Sequence, residues 1–315
     1  MEVLRFDPLY QERPWGGRLM ETFLGRKLPP SSGIGESWEV VDRVEAQSVA
    51  RGGRHAGSTL RELIEGHGAE IMGPRWPAGK RFPILVKWLD CHERLSLQVH
   101  PMKAAVADFG GEPKTENWFV ARAEKGAALF VGLQPGVTRA RFERALAEGR
   151  VESCLRRLAV NAGDSLLVPS GTLHAIDAGN FILEIQQNSD TTYRVHDWGR
   201  VGLDGEQRKL HLRESLASMQ WNHAEPRLQR ATAAPAVLAD CPEFRIRRIP
   251  LIRGERLAFS AHEQPRLLHL VSGHVREQGS GVTLEYGDNV LLPQSGGFVF
   301  SSLVDSLLLI TENFT

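Results

Sequence analysis

Short apolar or alternating runs, most of them bounded by glycine or proline, fill much of the chain up to about residue 190. Runs of this kind are typical of β-strands separated by turns. They predict strands over residues 82–89, 94–100, 117–123, 127–133, 164–169 and 180–186. Helical periodicity is local, and it predicts two short amphipathic helices over residues 58–66 and 138–150. The pattern as a whole therefore predicts a mainly β protein with a few short helices.

An Ala- and Pro-rich stretch over residues 224–244 separates this part from a second set of strand-like runs. We interpret the stretch as a linker, since neither period continues through it. A chain of 315 residues is long enough for two domains. We therefore predict two β-domains in succession, the first over residues 1–230 and a smaller one over residues 235–315.

Composition and charge remove several functional classes. Lys and Arg number 38 together, as do Asp and Glu, so the formal net charge is zero. Nucleic-acid binding and polybasic membrane surfaces both need excess positive charge, so we expect neither partner. No apolar run is long enough to span a membrane, and the N-terminus lacks the features of a secretory signal. The three cysteines form no CxxC pair, which favours a reducing compartment, so we predict a cytoplasmic protein.

A carboxamide and an imidazole share one face of a predicted strand. In the string LSLQVH (95–100), alternation turns Ser96, Gln98 and His100 away from the apolar face. An oxygen and a nitrogen could therefore face one metal ion. Taken alone, the same alternation is also the ordinary signature of a half-exposed strand.

The string KTENWFV (114–120) obeys the same rule and groups Lys114, Glu116 and Trp118 on one face. A lysine two residues from a glutamate is, on its own, most simply a surface ion pair. In a functional site, Glu116 would be an anionic metal ligand and Lys114 a cation facing the same cavity.

Two later strings carry further polar candidates. In GDSLLVPSGTLH (163–174), a strand ends at Pro169 and a tight turn leads into a strand that carries His174. A single strand histidine is more often structural, although a rigid corner just before it fixes its direction. In EIQQNSDTTYRVHDWGR (184–200), the residues from Gln186 to Tyr193 are almost all polar, so they form either a polar loop or part of a site.

These strings resemble known motifs. GDSLLVPSGTLH resembles the second cupin motif, and LQVH (97–100) resembles the first, with Gln98 in place of its usual first histidine. LSLQVHP, KTENWFV, VPSGTLHAI and EIQQNSDTTYRVHDWGR, in this order, resemble type I mannose-6-phosphate isomerase (phosphomannose isomerase) in its short bacterial form. The resemblance covers residues 5–220 closely. Pro113 and the pair Met102-Lys103 depart from the family pattern, which we expect to affect the lip of the pocket.

The resemblance implies a fold and an activity. The first domain would be a cupin, a jelly-roll β-barrel or sandwich, and the second a degenerate cupin-like β-sandwich without metal. The activity would be the interconversion of mannose 6-phosphate and fructose 6-phosphate through an enediolate, with one Zn²⁺ per chain. The partner would then be a small sugar phosphate, and the protein a monomer or a small homo-oligomer.

The same resemblance assigns the metal ligands and the catalytic arginine. The ligands would be His100, Glu116 and His174, with Gln98 as a fourth or occasional ligand. Two oxygens and two imidazole nitrogens suit Zn²⁺ and leave room for water or substrate. Arg194 would be the catalytic arginine that stabilises the enediolate.

The general base stays open among Lys114, Glu184 and Asp190. A lysine would need its pKa lowered and a carboxylate would need its pKa raised, and the sequence reports neither. We favour Lys114, with Glu184 as the alternative. The residues expected at the substrate are Ser96, Asp190 and Arg200, of which Ser96 and Arg200 resemble phosphate contacts.

Two other classes remain possible. A different cupin enzyme, such as an oxygenase, would use Fe²⁺ on a similar His and carboxylate set. A non-catalytic sugar-phosphate-binding cupin would keep the fold without turnover, although retention of Arg194 and of every ligand favours an enzyme. Metal analysis with an oxygen-consumption assay tests the first alternative, and an assay for fructose 6-phosphate tests the second.

Overall fold

The computed structural model describes residues 1–30, 33–222 and 225–314. The helices are α1 (Leu19–Leu24), α2 (Leu60–Ile71), α3 (Lys103–Phe109), α4 (Arg139–Ala147) and α5 (Leu212–Ser218), with a 3₁₀ turn at Val151–Cys154. The strands before residue 160 are β1 (Leu4–Arg5), β2 (Leu9–Gly17), β3 (Ile34–Val40), β4 (Ile84–Cys91), β5 (Leu97–Val99), β6 (Glu116–Ala123), β7 (Ala128–Leu133) and β8 (Leu155–Ala159). The next strands are β9 (Ser165–Val168), β10 (His174–Ile176), β11 (Asn180–Gln187) and β12 (Tyr193–His196). The last strands are β13 (Ala236–Asp240), β14 (Arg245–Leu251), β15 (Arg256–Phe259), β16 (Arg266–Ser272), β17 (Val275–Glu277), β18 (Thr283–Leu284), β19 (Asn289–Leu292), β20 (Phe298–Ser302) and β21 (Ser306–Glu312).

The chain forms two compact units. Unit 1 consists of Met1–Leu9, Ser37–Lys87 and Thr232–Thr315. Unit 2 consists of Tyr10–Glu36 and Trp88–Ala231. Each unit therefore draws on more than one segment of the sequence.

The core of unit 2 lies between two layers of antiparallel strands. One layer is a five-stranded sheet with the order β12-β5-β10-β7-β8. The other is formed by β2, β11, β6 and β9 together with the parts of β3 and β4 that belong to this unit, in the order β2-β3-β4-β11-β6-β9. Buried side chains from both sheets, including Trp15, Trp118, Leu129 and Ile176, form one hydrophobic cluster. This is the arrangement of a β-sandwich, in which strand alternation sends every second side chain into the core.

Unit 1 also contains two antiparallel sheets. The larger has the order β1-β19-β16-β21-β14-β13, and the smaller has the order β15-β20-β17-β18. Buried leucines, isoleucines, valines and phenylalanines of both sheets share one cluster, to which Leu268, Val290, Phe300 and Ile310 belong. The later part of the chain is thus β-structured, as the resumed strand pattern predicts.

The predicted domain from 1 to 230 differs from the division that the structure shows. Residues 1–9 group with the C-terminal strands because Leu4 pairs with Leu291 across β1 and β19. Residues 37–87 belong to the same unit, in which the Gln294 N–H donates to the carbonyl of Ile71 at 2.9 Å. Local patterns carry no information on such distant pairing. The predicted linker is also partly wrong, since β13 lies inside it; its residue 224 falls outside the described residues.

The predicted elements themselves are confirmed. The six predicted strands correspond to β4, β5, β6, β7, β9 and β11, and the two predicted helices correspond to α2 and α4. Several strand and helix boundaries differ from the predicted ones, and β5 is shorter than predicted, with only Leu97–Val99 in the strand. Among the described residues, no helix has the length and apolar character needed to cross a membrane.

Candidate active site

Three potential metal ligands meet in unit 2. Among the residues that the structure describes, His100, Glu116 and His174 are the one such group, and their ligand atoms all lie within 4.8 Å of one another. Nε2 of His100 lies 3.4 Å from Oε2 of Glu116, and Nε2 of His174 lies 3.3 Å from Oε1 of Glu116. All three side chains are buried. Two imidazole nitrogens and a carboxylate at this spacing suit a Zn²⁺ ion.

Strand pairing and a tight corner bring these ligands together. Gln98 of β5 lies directly opposite His174 of β10, and opposite residues of an antiparallel pair point to the same face. The corner before His174 turns at Gly171, which has a φ of +85°. The Gly171 N–H donates to the carbonyl of His100 at 2.8 Å, so the corner is tied to the end of β5.

Backbone carbonyls fix the orientation of both imidazoles. Nδ1 of His100 lies 2.7 Å from the carbonyl oxygen of Thr191, and Nδ1 of His174 lies 2.8 Å from that of Thr172. A carbonyl accepts only from a protonated Nδ1, so each Nε2 keeps its lone pair for a metal. Such outer contacts are the usual means by which a protein orients its histidine ligands.

The protonation states also suit metal binding. Burial lowers the pKa of His174 to about 3, and burial together with the nearby Lys114 ammonium lowers the pKa of His100. Burial alone would raise the pKa of Glu116, but the Lys114 ammonium beside it holds that pKa well below its usual range. Neutral imidazoles beside an ionised carboxylate are the forms that bind a metal ion. Oε1 of Glu116 is buried without a hydrogen-bond donor, and a cation at this place would satisfy it.

Gln98 and Ser96 border the same group. The side-chain Nε2 of Gln98 lies 3.2 Å from Nε2 of His174. The Ser96 hydroxyl donates to Oε1 of Gln98 at 3.2 Å. Both residues therefore face the ligand cluster from β5 and the segment just before it, as alternation predicts.

A buried lysine connects the ligand cluster to a second carboxylate. Nζ of Lys114 forms an ion pair with Oε2 of Glu116 and lies 3.6 Å from Oε2 of Glu184. The same Nζ lies 3.3 Å from Nε2 of His100. Lys114 and Glu184 are both 4% exposed. A lysine and a carboxylate held this close, next to a metal-ligand set, can exchange a proton with a bound substrate and with each other.

Two arginines extend the site beyond the ligands. Arg194 of β12 lies opposite Gln98, so its side chain leaves the sheet on the same face. Its Nη1 donates to the carbonyl of Lys209 at 2.9 Å, and its Nε is buried without a hydrogen-bond partner. Nε of Arg200 is likewise buried without a hydrogen-bond partner, while its Nη2 lies 3.3 Å from Oδ1 of Asp197. Guanidinium N–H groups that are buried without a partner are donors that an anionic ligand could satisfy.

Comparison with known proteins identifies the family of this chain. A model of the phosphomannose isomerase type I catalytic domain matches residues 3–125. Mannose-6-phosphate isomerase ManA of Bacillus subtilis is 35% identical over 309 residues, which cover 94% of this chain and 94% of that protein. The chain belongs to the type I mannose-6-phosphate isomerase family.

Solved structures of such isomerases share the fold. The crystal structure of mannose 6-phosphate isomerase from Bacillus subtilis is 27% identical and superposes with a TM-score of 0.87, over 99% of this chain and 100% of that one. A mannose 6-phosphate isomerase bound with zinc and yttrium is 16% identical, with a TM-score of 0.75 and full coverage of both chains. The predictions of a mainly β cupin fold and of an aldose–ketose isomerase are thus confirmed.

Three predicted site residues of the isomerase lie outside the buried group, since Arg194 and Arg200 are only partly buried and Asp190 is exposed. Asp190 is exposed in the loop between β11 and β12, and it interacts electrostatically with Arg13. Continued alternation from Glu184 would place Arg194 on the same face as Asp190, but β11 ends at Gln187 and β12 begins at Tyr193. The loop breaks the alternation, and the pairing of β12 with β5 sets the direction of Arg194 instead.

Sequence analysis missed several residues that support the isomerase site. The carbonyls of Thr172 and Thr191 hold the imidazoles, and no local pattern marks a carbonyl for such a task. Nε of Arg208 donates to Oδ2 of Asp197 at 2.7 Å, beside Arg200. The polar string DWGRVGLDGEQR (197–208) is the signal that could have indicated this ion-pair group.

Proposed function

We propose that the protein interconverts mannose 6-phosphate and fructose 6-phosphate with one Zn²⁺ per chain, through an enediolate. The observation that carries this proposal is the buried chain of contacts from Glu184 through Lys114 to Glu116. Moving a proton between C1 and C2 of a sugar needs a base and an acid beside a group that polarises the carbonyl. Lys114 and Glu184 lie next to the metal-ligand set and would supply the base and the acid.

His100, Glu116 and His174 would hold the metal ion, with Gln98 as a fourth or occasional ligand. The unsatisfied Oε1 of Glu116 and the two outward Nε2 atoms fit a divalent cation. When bound, Zn²⁺ acts as a Lewis acid that polarises the substrate carbonyl. The zinc-bound mannose 6-phosphate isomerase that shares this fold supports the choice of metal.

Lys114 would move the proton between C1 and C2. The base must be a neutral amine, and Oε2 of Glu184 at 3.6 Å is the carboxylate that can take up the ammonium proton. Because both side chains are buried, a substrate that closes the site leaves them in a water-poor pocket, where proton transfer is not diverted to solvent. Glu184 is the alternative base.

Arg194 would stabilise the enediolate, and Ser96 and Arg200 would hold the phosphate. A guanidinium with an unpartnered Nε presents a donor where negative charge develops. The Ser96 hydroxyl and Nε of Arg200, which has no hydrogen-bond partner, are donors that could bind a phosphate. Asp190 would contact the substrate only from the exposed loop, at the entrance of the site.

The decisive experiment measures metal and activity on the same purified protein. We expect about one zinc per chain and the formation of fructose 6-phosphate from mannose 6-phosphate in a coupled assay. Activity should disappear with a chelator and return with Zn²⁺. Iron together with substrate-dependent oxygen consumption would favour the oxygenase, and binding of sugar phosphates without turnover would favour the non-catalytic cupin; either result contradicts the proposal.

We also propose a cytoplasmic location and a C-terminal β-domain without metal. Cys91 and Cys154 are buried and unpaired, which suits a reducing compartment. Cell fractionation tests the location. Zinc analysis of His174→Ala tests the second point, because a metal ion that remains would have to lie elsewhere. The expectation of a monomer or small homo-oligomer stays a prediction for light scattering.

A further inference from the structure

The indole of Trp118 touches two parts of the site at once. Its Nε1–H donates to Oε1 of Glu184 at 3.0 Å. Its ring also meets the imidazole of His174 edge-on, with centroids 5.3 Å apart and an angle of 74° between the planes. Trp118 is 1% exposed, so solvent does not compete for its N–H.

Strand register fixes these contacts. Trp118 of β6 lies directly opposite Glu184 of β11, and two residues earlier Glu116 lies opposite Gln186. Opposite residues share a face, so the metal-ligand carboxylate and the indole follow one another on the same side of β6. Lys114, two residues before Glu116, continues that side and reaches Oε2 of Glu184.

We propose that Trp118 is a positioning residue for the isomerisation, whose N–H holds Oε1 of Glu184 so that Oε2 stays directed at Nζ of Lys114. The proposal rests on the proposed function. A buried carboxylate needs donors for its oxygens, and without them it turns to whichever donor it can reach. With Oε1 held by the indole, the carboxylate presents one oxygen to Lys114 in a fixed direction.

The chemistry of the donor explains why a tryptophan suits this place. An indole N–H is a neutral donor that cannot accept a hydrogen bond or a proton. It therefore satisfies Oε1 of Glu184 without becoming a third proton carrier beside Lys114. An arginine or lysine at position 118 would form its own ion pair with Glu184 and compete with Lys114 for it.

The test compares Trp118→Phe with Trp15→Phe. Trp15 is 4% exposed and belongs to the same hydrophobic cluster, so its replacement reports the cost of a smaller ring in this core. We expect Trp118→Phe to lower kcat by roughly tenfold to a hundredfold, as the loss of a hydrogen bond to a charged group does. KM for mannose 6-phosphate should change by less than about threefold, and zinc content and Tm should match those of Trp15→Phe. A kcat equal to that of Trp15→Phe would overturn the proposal.

A second step asks whether the effect passes through Glu184. In a Glu184→Ala background, adding Trp118→Phe should lower kcat by less than about twofold, because the group that Trp118 positions is already gone. If Trp118→Phe lowered kcat as much in the Glu184→Ala background as in the wild type, Trp118 would act independently of Glu184. That result would also overturn the proposal.

Two further measurements cover the remaining outcomes. If Trp118→Phe loses its fold or its zinc, β-(3-benzothienyl)alanine in place of Trp118 keeps the ring shape and removes only the N–H, with the same expected loss of kcat. In ¹⁵N-indole spectra, the N–H signal of Trp118 should shift in Glu184→Ala while that of Trp15 stays; an unmoved Trp118 signal overturns the contact.

A zinc-loaded wild type without isomerase activity would overturn the proposed function, whereas an active wild type with an unaffected Trp118→Phe would overturn only the role of Trp118.

Discussion

A buried histidine lies on β10 in unit 2 and another lies on β16 in unit 1, and they differ in what their nitrogens meet. Nδ1 of His269 is 2.7 Å from Oδ1 of Asn289, and its Nε2 is 2.9 Å from Oγ1 of Thr311. Both nitrogens thus have neutral partners. His174 gives one nitrogen to a backbone carbonyl and turns the other towards Oε1 of Glu116 at 3.3 Å.

The difference shows which observation marks a site. Burial lowers the pKa of His174 to about 3 and that of His269 to about 4, so a lowered pKa is common to both. The two histidines differ only in the groups that their ring nitrogens contact. A closed set of neutral hydrogen bonds holds His269 in the fold, whereas His174 faces Oε1 of the ionised Glu116, an oxygen that lacks a hydrogen-bond donor. A buried carboxylate oxygen without a donor, next to two imidazole nitrogens, marks a place that suits a cation.

The largest expected effect tests the difference between His174 and His269 directly. His174→Ala removes one of three metal ligands, so we expect it to lose zinc and to lower turnover by about three orders of magnitude. His269→Gln is the matched control, and we expect it to keep zinc and near-normal turnover while Tm falls. Metal analysis and the coupled assay measure both. If His174→Ala kept stoichiometric zinc and normal turnover, the assignment of the site would be wrong.

The next effect concerns arginines of the two units. Arg266 is paired, with Nη2 2.7 Å from Glu263 and Nε 3.4 Å from Glu312, whereas Nε of Arg194 has no hydrogen-bond partner. We expect Arg194→Ala to keep its fold and zinc, and to lose about a hundredfold or more in kcat with little change in KM. Arg194→Lys should restore little, since a lysine lacks the planar pair of donors.

Arg266→Ala serves as the control for Arg194→Ala. It should lower stability, because it leaves Glu312 with one cationic partner fewer, and it should keep turnover. Steady-state kinetics and thermal unfolding distinguish the two variants. Near-normal kcat in a folded, zinc-replete Arg194→Ala protein would remove Arg194 from the mechanism.

Much of this site could be predicted from the sequence because strand alternation is local. The grouping of Ser96 with Gln98 and His100, and of Lys114 with Glu116, needs only the period of two. Both groupings appear in the structure. The resemblance of four strings to one family then joined these groups with His174.

The rest depends on register and loops, which a single sequence does not report. The contact between Trp118 and Glu184 exists because β6 and β11 pair in one register, and a slip of one residue would abolish it. The exposed position of Asp190 follows from the end of β11 at Gln187. The pairing of Leu4 with Leu291 joins the two ends of the chain, so no pattern within a window reveals it.

The third effect is a pH dependence of stability that comes from the closed network. The pKa of His269 is about 4 in the folded protein and about 6.5 in an unfolded chain, because burial disfavours the charged form. The unfolded state therefore binds the proton more readily. The contribution is complete above about pH 6.5 and is lost as the pH falls towards 4, by about 3 kcal/mol in total.

Urea unfolding at pH 7, 5 and 4 measures this contribution. The difference in unfolding free energy between wild type and His269→Gln should shrink as the pH falls, since only the wild type has this histidine to protonate. Other titrating groups are common to both proteins and cancel in the difference. Parallel curves would show that His269 titrates normally in the folded state.

The smallest expected effect sharpens the comparison, because it changes an outer contact of the site and leaves every ligand in place. His100 is oriented by the carbonyl of Thr191, and Gly111 lies against the side chain of that threonine. A Cβ at Gly111 would lie 2.6 Å from Cγ2 of Thr191, whereas a Cβ at Gly110 would meet nothing within 4 Å. Both glycines have positive φ, +78° and +75°, a backbone conformation that strains alanine at either position.

Gly111→Ala and Gly110→Ala therefore differ in one contact, because only the Cβ of Gly111→Ala would collide with the side chain of Thr191. We expect both variants to lose stability, since a positive φ strains alanine at either position. Only Gly111→Ala should displace the carbonyl that holds Nδ1 of His100, and outer contacts of this kind are worth about tenfold or more in metal affinity. Competition with a chelator should thus show zinc bound about tenfold more weakly in Gly111→Ala than in Gly110→Ala. Equal zinc affinities would mean that the orientation of His100 does not depend on Thr191, and that the ligands alone define the charged site.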